Sequence, residues 1–135
     1  MQIIGFNFKK ISVEREKNSN EKLEINSNIH IEDISKEEIK FSKEETLRLE
    51  FTYTIEYNQG NLAKLEFRGV ILFIEEKEDI KEFLKSWKDK KIPEKYKLPL
   101  FNVIMHKCNI RAIQLEDEMN LPLHIQLPKL TPKKE

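Results

Sequence analysis

Leu47-Arg48-Leu49-Glu50-Phe51-Thr52-Tyr53-Thr54-Ile55-Glu56-Tyr57 alternates apolar and polar side chains without a break, and Asn58-Gln59-Gly60-Asn61 follows at once. Successive side chains of a strand point to opposite faces, so this run is a half-buried antiparallel strand. The Asn/Gly cluster is turn chemistry, and the chain then resumes the alternation, Leu65 and Phe67 against Lys64, Glu66 and Arg68. The two runs predict a hairpin. Its second strand ends as Gly69-Val70-Ile71-Leu72-Phe73-Ile74, apolar on both faces, which calls for cover on each side.

The same period extends upstream. Leu23, Ile25, Ile29 and Ile31 oppose Glu24, Asn26, Asn28, His30 and Glu32. Nearer the N-terminus, Phe6 and Phe8 are followed by Ile11 and Val13, and the change of parity across Lys9-Lys10 predicts a bulge. Ser35 to Ser42 reads as a linking loop or a single helical turn. Downstream the period changes to that of a helix, with Asp79 near the start and Ile80, Phe83, Leu84 and Trp87 as its inward stripe. Lys88, Lys90 and Lys91 suit its C-terminal end, and Pro93 marks the break. A longer helix is expected from near Pro99 to before Pro122. Leu100, Phe101, Ile104, Met105, Cys108, Ala112, Leu115 and Met119 form one broad stripe on it, while Val103, Ile110 and Ile113 gather on the far side. One stripe can pack on the sheet; the second needs another partner, which points to self-association through Val103, Ile110 and Ile113. The expected fold class is α+β, four antiparallel strands with two C-terminal helices, in one domain of 135 residues.

Composition excludes several functions. The 24 basic and 24 acidic residues cancel, which removes the electrostatic case for nucleic acid or an anionic membrane. No apolar run approaches the ~20 residues of a membrane span, so no direct membrane insertion is expected. The N-terminal stretch puts charge after its apolar residues, the reverse of a signal peptide, and the lone Cys108 suits a reducing compartment. A cytoplasmic location is expected. His30, His106 and His124 have no motif partners, and His106-Lys107-Cys108 lacks a second ligand pair at zinc-like spacing. Gly5, Gly60 and Gly69 stand alone, so there is no phosphate-binding loop. No catalytic residue, metal or cofactor is expected, and the chain is read as a non-enzyme.

Two stretches carry a family resemblance. Leu65-Glu66-Phe67-Arg68-Gly69-Val70-Ile71-Leu72-Phe73-Ile74 and Met119-Asn120-Leu121-Pro122-Leu123-His124-Ile125-Gln126-Leu127-Pro128, set within this order of elements, resemble SecB, the export chaperone, and its SecB-like relatives. The resemblance implies a Greek-key sheet with both helices on one face, assembled as a dimer of dimers. It implies ATP-independent holding of unfolded or precursor polypeptides in long apolar grooves. It matches Glu66 to an acidic surface that docks the translocation motor, although Lys64 falls where that surface has an apolar residue and Arg68 and Arg48 dilute its charge.

The leading expectation is therefore a holdase, with protein export as one use. Groove candidates are Phe83 and Trp87 on the first helix, with Ile39 and Phe41 on the loop after the second strand; a solvated tail runs from about residue 129. Two alternatives stand beside it. One is a small-molecule-binding or enzymatic pocket between sheet and helices using Tyr53, Tyr57 or His30. The other is a chaperone dedicated to one partner, such as an antitoxin.

Overall fold

The computed structural model describes residues 1–16, 22–37 and 45–132. Four strands, β1 (Gln2–Arg15), β2 (Ile25–Glu37), β3 (Glu45–Tyr57) and β4 (Ala63–Glu75), precede helices α1 (Lys77–Lys88) and α2 (Glu94–Glu118). The sheet is antiparallel in the order β1-β4-β3-β2. Strands β2, β3 and β4 form a meander and β1 returns beside β4, a Greek key. The alternation of Leu47 to Tyr57 is kept in full: Leu47, Leu49, Phe51, Tyr53, Ile55 and Tyr57 are buried with Leu65, Phe67, Ile71 and Phe73 from β4. On the opposite face of β4, Val70 is buried between Asn7 and Glu50 of the flanking strands, and Leu72 and Ile74 are half-buried. That face also carries cross-strand ion pairs, Lys9 with Glu50 at 3.1 Å and Lys10 with Glu66.

The hairpin turn places Asn58, Gln59 and Gly60 all at positive φ, and Tyr57 pairs with Ala63 across it. The Asn58 side-chain oxygen accepts from the Glu24 backbone N–H at 2.7 Å, which ties the entry of β2 to the turn. Gly69 has a packing reason: a Cβ there would lie 2.5 Å from the Phe51 ring.

Two expectations about element boundaries are corrected. Strand β2 does not end near Glu32 but runs to Glu37, because a bulge between Ile31 and Asp33 resets its parity and turns Ile34 inward after Ile31. The rest of the stretch expected as a loop, with Ile39 and Phe41, lies outside the described residues. Helix α2 starts at Glu94, directly after Pro93, and takes Pro99 into its second turn. Pro99 has no N–H to give the Lys95 carbonyl, so α2 lacks one intrahelical bond there.

The buried side of α2 is a ridge at i, i+4 spacing, Tyr96, Leu100, Ile104, Cys108, Ala112 and Glu116, with Leu115 beside its end. A row of that spacing is inclined to the helix axis, so the side chains that meet the sheet drift around the helix along its length. Met105, expected on the inward stripe, is 42% exposed as a result. No helix among the described residues is long and apolar enough to cross a membrane.

Candidate functional site

Strand β2 ends the sheet on one side, and the connection from α1 to α2 passes beside it. Between them lies an open cleft of about 900 Å³. Its apolar walls are Ile31 from β2, Trp87 near the end of α1, Ile92 and Pro93 in the connection, and Phe101 on α2. Lys90, Lys91, Glu94 and Lys97 stand among them. The Lys90 Nζ lies 4.6 Å from the centre of the Trp87 ring, and Lys97 Nζ reaches Glu94 at 2.9 Å.

Local chain chemistry builds this corner. Trp87 is in α1's last turn, and the helix closes with the Lys90 N–H donating to the Trp87 carbonyl at 2.8 Å and the Lys91 N–H to the Ser86 carbonyl at 3.2 Å. That is a Schellman cap, with Lys90 in the left-handed conformation at φ 57°. The Ser86 hydroxyl donates back to the Lys91 carbonyl at 2.9 Å, which fixes the direction in which the chain leaves the helix.

The expected groove pair separates. Trp87 lines the cleft, whereas Phe83 is 1% exposed and sits between the Phe73 and Tyr96 rings, with centroids at 5.5 and 5.1 Å. Phe83 is a core ring, because it lies a turn earlier on α1, packed on Phe73 of β4. Ile31, Ile92, Pro93 and Phe101 were not expected at the site. An apolar-proline pair inside the otherwise charged stretch from Lys88 to Lys97 was the available signal for Ile92 and Pro93.

Of the expected assembly residues, Ile110 is 51% exposed, and Val103 and Ile113 are half-buried. Leu98, also on α2, is 72% exposed. Glu66 sits on the helix-free face of the sheet, bonded by Lys10 and 3.9 Å from the Arg68 Nε. The Lys10 hydrogen bond holds its carboxyl below the usual carboxylate range.

The residues of the pocket alternative do not converge. His30, exposed on β2, lines the cleft, while Tyr53 and Tyr57 do not. Their hydroxyls enter a polar cluster under the segment after α2. Glu116 is 0% exposed there, and its carboxylate lies 2.8 Å from the His124 Nδ1 and accepts from the Tyr57 hydroxyl at 2.9 Å. The His124 Nε2 is 2.9 Å from the Asn109 Oδ1, which also accepts from the Tyr53 hydroxyl at 2.8 Å. Desolvation raises the pKa of both phenols, so they stay neutral donors. Arg15, at the end of β1, donates to the Met119 and Asn120 carbonyls at 2.7 and 2.6 Å and caps α2 from outside. This cluster fixes the chain after α2.

No family model and no curated protein matches the chain by sequence. A solved structure does match in fold: the Mycobacterium tuberculosis Rv1957 SecB-like chaperone in complex with a ChAD peptide from the Rv1956 HigA1 antitoxin. The two are 12% identical and superpose with a TM-score of 0.57 over 96% of this chain and 89% of that one. The sheet order, the two helices and this superposition give the chain the SecB-like fold.

Proposed function

We propose that the protein is a polypeptide-binding chaperone of the holdase type, which keeps unfolded or precursor chains from aggregating without ATP and without catalysis. One observation carries this reading: the open cleft of about 900 Å³ between the outer strand β2 and the apolar side chains of Trp87, Ile92 and Phe101. An unfolded chain offers apolar side chains and unpaired backbone groups. Apolar walls bind many such sequences, because burial depends on area and has no direction. The outer edge of a terminal strand can pair with an added extended segment.

In this reading the working form is a dimer or dimer of dimers in the cytoplasm, joined through α2, where Leu98 and Ile110 are exposed. Replacing Ile110 by Glu should lower the assembly state in light scattering, since the interface would then bury an unpaired charge. Export is one possible use, but delivery to a motor through Glu66 is disfavoured, because Lys10 and Arg68 already engage that carboxylate.

A dedicated-partner reading has its own support: the neighbour of the same fold was solved with a peptide from an antitoxin. The test is light scattering of several unrelated clients as they aggregate on warming, with no nucleotide present. Suppression at near-stoichiometric ratios across the clients is expected. If every client aggregates as in buffer, general holding is rejected, and the dedicated reading is then examined by pulling down one tight partner.

A further inference from the structure

We infer that the cleft selects extended segments in which acidic residues flank apolar ones. This inference rests on the reading of the cleft as a polypeptide site.

The charge around the cleft is net positive once its lysine–carboxylate pair is removed. Lys97 is engaged by Glu94 at 2.9 Å. Glu32, on the β2 wall, accepts from the neutral Thr52 hydroxyl at 2.8 Å and lies 3.7 Å from the His30 Nε2, and among the described residues no lysine or arginine pairs with it, so one carboxylate stands across the cleft from the lysines. Lys90 and Lys91 both line the cleft, and among the described residues no carboxylate pairs with either of them. Asp89, the neighbouring acid, does not line the cleft. Two cations against one carboxylate are therefore left at the mouth of an apolar site, both cations on the side of Trp87.

The position of Lys90 is unusual for a lysine. It occupies the left-handed place of the α1 cap, where glycine or asparagine fits at lower cost. The corresponding cap of α2 has Asn120 there, at φ 54°, with Leu121 donating to the Glu116 carbonyl. Backbone cost of this kind gathers at functional positions. In return, the cap sets the Lys90 ammonium over the Trp87 ring, 4.6 Å from its centre. A ligand side chain packed on Trp87 then has a cation beside it, and a carboxylate one or two residues away along an extended segment can reach Lys90 or Lys91.

Trp87 is the only tryptophan in the chain, so its emission reports on the cleft directly. The experiment titrates the intact protein with three synthetic peptides of identical apolar residues, flanked by Asp/Glu, by Asn/Gln or by Lys. Trp87 emission and calorimetry are followed together at low and high salt. The acidic peptide should bind roughly threefold to tenfold tighter than the neutral one, the range two exposed charge pairs supply. The lysine peptide should bind more weakly than either, and high salt should bring the three together. Lys90→Glu with Lys91→Glu should reverse the order. Lys90→Gly relieves the left-handed strain, so it should fold at least as stably as the native chain while narrowing the acidic preference. Equal affinities for the three peptides at low salt would overturn the acidic selection and leave the cleft as a polypeptide site. Binding of none, or binding that leaves Trp87 emission unchanged, would overturn the cleft reading itself.

Discussion

Truncating two rings of α1 one turn apart should have opposite consequences. Phe83→Ala removes a ring held between Phe73 and Tyr96 at 1% exposure, and the tight packing leaves no route for neighbours to fill the space. A buried Phe→Ala change of this kind costs about 3–5 kcal/mol, transfer and cavity together. A domain typically holds about 5–15 kcal/mol in all, so a large part of the stability would go. With a urea dependence of about 2 kcal/mol per molar, the midpoint should fall by about 2 M. Trp87→Ala removes a half-buried ring whose outer side faces the cleft. The apolar area it loses is worth about 1 kcal/mol, about 0.5 M in midpoint. Far-ultraviolet circular dichroism through a urea series gives both midpoints, and client light scattering gives holding under conditions where each variant is folded. Phe83→Ala should be the less stable protein and Trp87→Ala the poorer chaperone. Equal midpoint shifts, or a Trp87→Ala protein that unfolds first, would refute the assignment of one ring to the core and the other to the cleft.

Gly69→Ala should destabilise by about 1–3 kcal/mol, since its Cβ would meet the Phe51 ring at 2.5 Å and the Asn7 carbonyl at 3.0 Å; an unchanged melting temperature would mean that the ring moves aside freely. His124→Ala leaves the Glu116 carboxylate buried without its imidazole and should cost about 3–5 kcal/mol. The double change His124→Leu with Glu116→Leu should cost less than that single one, and the opposite order in denaturation would show the pair to be unimportant. Burial pushes the Cys108 thiol up to about 12, so at pH 8 it is held as the thiol rather than the reactive thiolate. A thiol reagent should label it only after unfolding, and labelling of the native protein at the rate of a free peptide thiol would contradict its burial.

Periodicity alone decided the strands and the hairpin. Alternation from Leu47 to Tyr57 survives folding because a sheet covered on one face buries every second side chain, and a one-residue slip would send all of them to solvent. Where covalent neighbours reset that pattern, local reading stopped short: the bulge after Ile31 turned the rest of β2 into an apparent loop. Phe83 and Trp87 are four residues apart on one helical stripe, so period and hydrophobicity treat them alike. Their fates diverge only because α1 runs off the covered part of the sheet toward the β2 edge, a matter of where the helix lies, which no residue on it encodes. The polar cluster was hidden for a related reason. No spacing in the sequence pairs Glu116 with His124; the reversal of the chain after Asn120 brings the two to 2.8 Å. Sequence set the elements because burial has a period. Tertiary structure set the site because it lies between elements, where contacts join residues far apart in the chain.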